Sequence, residues 1–222
     1  AQWTPRGHIV YTTWYRSTSR VVVMSRSGQV IAQTNMTDPR CLSVSTDNVI
    51  CLAEFKSGVH QSTDDGVTWS HVFKSPDGWQ CMQVIKVSTD HHTDDWWTLE
   101  YSSDLKNDRL RVYSVDRLRA ADGTVSSHVT IDWRYSRLAY DGHTNIFTTD
   151  WWNRAVHVWT VSGQYDRQLL SRQHFTINNK PWCVAVDSGQ SDGHVTMYVG
   201  QERYGAGVYG EGRLGVFTLT CE

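Results

Sequence analysis

One block of residues occurs twice in divergent form, and it restricts the chain to a small set of folds. Ile146-Phe147-Thr148-Thr149-Asp150-Trp151-Trp152-Asn153 precedes an alternating run from Ala155 to Val161, then Ser162-Gly163-Gln164. Near the start, Ile9-Val10-Tyr11-Thr12-Thr13-Trp14-Tyr15-Arg16 precedes Val21 to Met24, then Ser27-Gly28-Gln29. Each block reads as strand, aromatic loop, strand, Gly turn and a further strand. Such a unit cannot bury its apolar face alone, so several must stack. A helical or α/β architecture does not fit, because no stretch keeps a helical apolar period over roughly 11 residues.

Strand runs bounded by Gly, Asp, Asn or Ser divide the chain into units of approximately 1–38, 39–78, 79–134, 135–180 and 181–222. The predicted fold is all-β: a single β-propeller domain of five blades, four-stranded or incomplete. Strands within a blade are labelled a to d here. The first unit lacks a clear strand a and the last lacks a strand d. Gln2-Trp3-Thr4 is expected to fill that outer position of the last blade and so close an open edge.

Composition narrows the function. A net charge of −2 over 222 residues offers no field for nucleic acid or an anionic membrane. No apolar run is long enough for membrane insertion by a helix. The chain opens on Ala1, which reads as a processed N-terminus. The sequon Asn35-Met36-Thr37 makes Asn35 a glycosylation candidate and points to a secreted, extracellular glycoprotein in a disulfide-permissive setting. Of the 5 Cys, Cys41, Cys81 and Cys183 recur at matching unit starts. Together with Cys221 they are the disulfide candidates, in no assignable connectivity. An odd count leaves one thiol to stay reduced or to join chains in a homo-oligomer.

Phe147-Thr148-Thr149-Asp150-Trp151, Asn153-Arg154 and Ser162-Gly163 resemble the blades of NHL-repeat and YWTD propellers. Leu138-Ala139-Tyr140-Asp141-Gly142 and Val184-Ala185-Val186-Asp187 look like the NHL strand a. Ser62-Thr63-Asp64-Asp65-Gly66-Val67-Thr68-Trp69 matches the Asp-box, a hairpin turn of sialidase-type and other propellers. This resemblance implies a fold-stabilising turn with Trp69 packed between sheets, and it implies nothing about catalysis. In size and aromatic content the chain is similar to compact five-bladed lectin propellers of the tachylectin kind, although its repeats are far less alike.

The strongest functional signal is the b–c loop. The five loops read Trp14-Tyr15-Arg16, Glu54-Phe55-Lys56, Glu100-Tyr101-Ser102, Asp150-Trp151-Trp152-Asn153 and Glu202-Arg203-Tyr204. Each sets an aromatic beside a polar or charged group. An aromatic plane stacks on the C–H face of a sugar while its neighbour bonds hydroxyls. The competing reading packs these rings between blades and leaves the charges to solvent. The rich supply of 11 Trp and 10 Tyr against 5 Phe fits either reading.

Asp47, Asp90, Asp141 and Asp187 follow strand a in successive units and could hold Ca²⁺ in a channel. As residues that bond their own turn they need no metal, and no cofactor is expected. His91 and His92 sit in an acidic a–b loop that reads as solvated. Gly205 to Gly212 lacks the Lys-Ser/Thr of a phosphate loop. No nucleophile elbow, zinc-protease helix or arginine triad appears. The expectation is therefore a non-enzymatic, lectin-like protein that binds a glycan or extracellular protein through the b–c loops. A propeller hydrolase or lactonase with a channel metal is the alternative, and a structural or assembly protein is the third reading.

Overall fold

The computed structural model describes residues 1–13, 19–45, 47–88, 94–102, 108–114, 127–131, 135–175, 179–187, 194–203 and 212–220. Its strands form five antiparallel sheets, each built from one continuous stretch of chain. The first holds β1 (Gln2–Trp3), β2 (Ile9–Thr13), β3 (Ser19–Met24) and β4 (Val30–Met36). The second holds β5 (Pro39–Val44), β6 (Ile50–Glu54), β7 (Gly58–Ser62) and β8 (Ser70–Phe73). The third holds β9 (Trp79–Ser88), β10 (Asp94–Ser102), β11 (Asp108–Ser114) and β12 (Ser127–Ile131). The fourth holds β13 (Tyr135–Tyr140), β14 (Asn145–Asp150), β15 (Ala155–Thr160) and β16 (Tyr165–Leu170). The fifth has three strands, β17 (Asn179–Asp187), β18 (His194–Arg203) and β19 (Gly212–Thr220). Apart from a 3₁₀ turn at Arg172–His174, no helix occurs among the described residues. This is the all-β propeller that the repeats predict, with four sheets of four strands and one of three among the described residues.

The chain divides into two compact units, Ala1–Thr130 and Ile131–Glu222. In the first unit, the second sheet contacts both of its neighbours, through β2 against β5 and through β5 and β6 against β9. The sequence of β6 reflects this. Ile50 and Leu52 pack with Val10, Val21 and Val23, whereas Val49, Cys51 and Ala53 pack with Cys81, Val84 and Trp96. Successive side chains of a strand point to opposite faces, so a strand buried on both faces must be apolar without alternation. In the second unit, β13 and β14 pack on β17, and Phe147, Val156 and Val158 share a core with Val184, Met197 and Val199.

Gln2–Trp3 corrects an expectation. It is the first strand of the first sheet, with Gln2 opposite Val10 and Trp3 opposite Ile9, and not the outer strand of the last. The cause is local. Thr4 N–H donates to the His8 carbonyl at 2.8 Å and Gly7 N–H to the Thr4 carbonyl at 2.9 Å. A turn this short closes with far less loop entropy than a pairing across the chain.

The disulfide expectation is also corrected. Among the described residues no disulfide forms, and Cys41, Cys51, Cys81 and Cys183 each carry a thiol. Each is settled in its own surroundings. The Cys81 thiol is fully buried, and burial, then Glu100 and Cys41, push its pKa well up, which suppresses the reactive thiolate. The Cys183 sulfur covers Gly200, where an added Cβ would lie 2.3 Å away. Cys221 lies outside the described residues.

Candidate functional site

The b–c loops begin on an acid that recurs at the end of the second strand: Glu54 on β6, Glu100 on β10, Asp150 on β14 and Glu202 on β18. Glu54, Glu100 and Asp150 are buried. Ile50 to Glu54, Trp96 to Glu100 and Ile146 to Asp150 are buried at every residue, so the acids end strands that are enclosed on both faces.

Each buried acid braces local structure. Glu54 Oε1 accepts from the N–H groups of Thr37 at 2.7 Å and Asp38 at 3.4 Å. Its other oxygen accepts from the Ser57 hydroxyl and lies 2.9 Å from His60 Nε2. Burial alone would raise the Glu54 pKa, but these partners outweigh it and hold the group below the usual carboxylate range. Glu100 accepts from the Ser75 hydroxyl at 3.3 Å. Asp150 accepts from Asn153 twice, from its backbone N–H and its side-chain amide, both at 2.8 Å.

That last pair fixes the turn carrying Trp151 and Trp152. Arg154 completes it in the left-handed region at φ 54°. Trp152 stands 63% exposed, while Trp151 is half-buried and tilted 38° against it with ring centres 6.0 Å apart. Lys180 of β17 places its Nζ 3.4 Å from the Trp151 ring centre and 5.3 Å from that of Trp152. Burial and then Arg154 lower the Lys180 pKa, with Glu202 opposing. On the same strand Trp182 is exposed, with the Arg137 guanidinium 5.7 Å from its ring. The second unit thus presents large aromatics held by cations.

In the first unit, Phe55 is half-buried under Arg40, whose guanidinium carbon is 4.3 Å from the ring centre and whose charge pairs with Asp38. Beside it opens a cleft of about 660 Å³ lined by Thr37, Asp38, Glu54, Lys56, Ser57, His71 and Lys74. Ser57 Oγ lies 3.0 Å from His60 Nε2, which invites comparison with a nucleophile and its base. The arrangement does not work as one. The Ser57 proton goes to the Glu54 carboxylate, which can only accept, and Glu54 meets His60 on the same ring nitrogen as the serine does. A relay needs the acid on the opposite nitrogen. Burial, first, and the His71 ring at 5.1 Å also lower the His60 pKa, against the pull of Glu54.

Asp141 braces the turn after its first strand, and Asp47 bonds both its turn and Lys86 of β9. Asp141 is buried and accepts from the N–H groups of His143, Thr144 and Asn145 and from the Asn145 amide, at 2.7–3.1 Å. Asp47 accepts from Ser45 at 2.5 Å and from Lys86 Nζ at 2.6 Å. Asp187 is exposed at the end of β17. Among the described residues no three His, Cys, Asp or Glu side chains converge as a metal site.

Of the sequence-derived binding residues, the structure brings Trp151, Trp152 and Glu202 together around Lys180. Tyr101 is half-buried at the end of β10. Trp14, Tyr15, Arg16, Tyr204 and Asp90 lie outside the described residues. Lys180, Trp182 and Arg137 were not legible as site residues. Pairing sets Lys180 opposite Glu202, Trp182 and Arg137 fall where the register of their strands shifts, and no local motif marks any of them.

No family model matches the chain, and no curated protein does. Solved structures do. The Dos1 propeller is 14% identical with a TM-score of 0.56, over 91% of this chain and 53% of its own. Streptogramin B lyase is 11% identical with a TM-score of 0.55, over 99% and 71%. Regucalcin from Agrobacterium tumefaciens, a calcium-binding protein, is 12% identical with a TM-score of 0.53, over 90% and 72%. The chain thus spans about half the length of the Dos1 propeller. At these identities the likeness is one of propeller fold.

Proposed function

We infer that the chain is a secreted, non-enzymatic recognition protein that binds glycans through its b–c loops, with the Trp151–Trp152 turn as the described subsite. One observation carries this reading: Trp152 is 63% exposed on a turn that Asp150 and Asn153 hold rigid. A solvated turn needs no indole, and a large apolar ring shown to water marks a contact surface. A pyranose C–H face would stack on Trp152, and the Lys180 ammonium would donate to its hydroxyls. Related loops in other sheets would add weak sites whose avidity exceeds any single affinity.

Among the neighbours a lyase and a calcium-binding protein use similar folds, so the fold itself does not choose between binding and catalysis. The engagement of Asp141 within its own turn and of Asp47 with Ser45 and Lys86, and the misplaced acid at His60, favour binding. Asn35, exposed on β4, supports secretion as a sequon in a position that a glycosyltransferase could reach.

Titration with a glycan panel, followed by Trp fluorescence, tests the reading. A saturable change with some members, lost in Trp152→Ala, is expected. No response across the panel, or a response that Trp152→Ala leaves unchanged, would remove the glycan assignment. Capture of an extracellular protein through Trp152 would move it to a protein ligand.

A further inference from the structure

The cleft beside Phe55 has walls that are braced against one another. Thr37 and Asp38, in the connection from β4 to β5, donate their N–H groups to Glu54 at the end of β6. The Ser57 hydroxyl of the β6–β7 turn donates to the same carboxylate, and His71 Nε2 of β8 lies 2.9 Å from the Ser57 carbonyl oxygen. Gly58, at φ 102°, lets that turn press on the end of β8. An added Cβ there would lie 2.2 Å from the Phe73 carbonyl oxygen and 2.8 Å from Lys74 Cα. The opening between these segments, about 660 Å³, is thus shaped before any ligand enters.

The charges that line it are unequally free. Glu54 is buried, and its oxygens are taken by Thr37, Asp38, Ser57 and His60. Asp38 gives one oxygen to Arg40 at 2.9 Å and has the other buried out of solvent's reach. The cations are the reverse. Lys56 is exposed and pairs with no acid among the described residues. Lys74 pairs loosely with Asp77, at 3.6 Å and in full solvent. Both lysines therefore offer donors to a cleft whose carboxylates are already engaged. Groups suited to hydroxyls stand beside them. Thr37 is exposed, with its hydroxyl uncommitted among the described residues. A carbonyl oxygen only accepts, so His71 carries a proton on Nε2 and its neutral ring keeps Nδ1 as an acceptor. Free donors beside spent acids select an anion. A volume far beyond what a lone carboxylate fills selects one carried on a larger polar body.

We propose that this cleft binds an acidic sugar, its charged group held by Lys56 and Lys74 and its hydroxyls by Thr37 and His71. The sugar body rests on the glycan reading, because Glu54-Phe55-Lys56 is the b–c loop of the second sheet; the anionic group rests on the cleft alone. Lysine meets an oxyanion as a point charge, so a carboxylate and a phosphate satisfy the same site.

Calorimetric titration of the chain at low ionic strength tests this with glucuronate, glucose-6-phosphate, glucose and acetate. At least one acidic sugar is expected to bind saturably and to weaken as salt is added, the tighter of the two naming the charged group. Lys56→Gln and Lys74→Gln, both at exposed positions, are each expected to weaken that binding about tenfold, the scale of losing one hydrogen bond to a charged group, with unchanged circular dichroism and melting temperature. Lys56→Arg is expected to restore most of it, and Arg167→Gln, which removes an exposed charge from β16, to leave it untouched. The Trp152-dependent fluorescence response to the glycan panel is expected to survive Lys56→Gln, so each reading can fail without the other. Failure of both acidic sugars to bind would overturn the proposal, as would binding that either lysine-to-glutamine substitution leaves unchanged. Glucose binding as tightly as the acidic sugars would remove the anionic group from it, and acetate binding as tightly would remove the sugar body; either result overturns it.

Discussion

The carboxylate of Asp64 accepts from the Thr68 hydroxyl at 2.6 Å, the Thr68 N–H at 2.9 Å and the Ser62 hydroxyl at 2.8 Å. These bonds, led by the Thr68 hydroxyl, lower its pKa from 3.8 to about 2. A carboxylate lowered on folding contributes stability that is fully present above the unfolded pKa and is lost as pH falls through the folded one. Urea midpoints are therefore expected to fall between about pH 4 and pH 2, less steeply in Asp64→Asn than in the wild type. Equal slopes would remove Asp64 from the acid response. Glu54 presents the same physics in a buried setting. Glu54→Ala leaves the Thr37 and Asp38 N–H groups and the Ser57 hydroxyl without their acceptor. It is expected to cost roughly 2–3 kcal/mol, the scale for losing hydrogen bonds to a charged group. Glu54→Gln, which keeps an acceptor oxygen, should recover part of that loss in chemical denaturation.

At the scale of the element, the β7–β8 turn shows what a short motif can and cannot specify. Its hydrogen bonds follow from residue order: Gly66 N–H donates to Ser62 Oγ at 2.8 Å, and the Trp69 indole donates to the Gly66 carbonyl at 3.0 Å. Asp65 and Gly66 take the left-handed conformation, at φ 57° and 81°. The expected depth of Trp69 differs. The ring is half-buried, packed against the Val10, Val21 and Ile50 cluster and not enclosed by it, because its indole N–H is held back by the turn. Trp69→Ala is therefore expected to cost about 1.5–3 kcal/mol, below the range for a fully buried aromatic. A cost within error of zero in equilibrium denaturation would mean that the ring contributes nothing to the core. Strand positions were legible because period-two alternation is local. The strand at Gln2–Trp3 was expected but its partner was not legible, because two exposed residues carry no alternation and only the Thr4–His8 turn commits them to β2.

At the scale of the whole molecule, we propose that the residues form a single propeller domain. Lys86 on β9 reaches Asp47 in the β5–β6 turn at 2.6 Å, with the lysine side chain only 5% exposed and the aspartate 43% exposed, so the second and third sheets share an ion pair desolvated on the lysine side. Burying an ammonium this way costs more than it returns unless the partner is held in place. Within each unit, sheets tied by such contacts and by common cores should unfold together. One transition, coincident by Trp fluorescence and far-ultraviolet circular dichroism, is expected. Two resolved transitions would instead assign separate stabilities to 1–130 and 131–222.

The sequence by itself determined the class of fold, the division into successive β-units and the turn chemistry of Asp64 and Asp141. Each of these depends on residues a few positions apart, where alternation and side-chain-to-backbone bonds act without tertiary help. The burial of Glu54, Glu100 and Asp150, which the sequence reading placed in binding loops, was not legible, because both faces of their strands are enclosed. Which aromatics face water, which cation stands over Trp151, and which sheet takes Gln2–Trp3 were decided by tertiary structure alone. Those outcomes depend on register between strands far apart in the chain, and register is set by the summed packing of whole faces, which no local run of residues encodes.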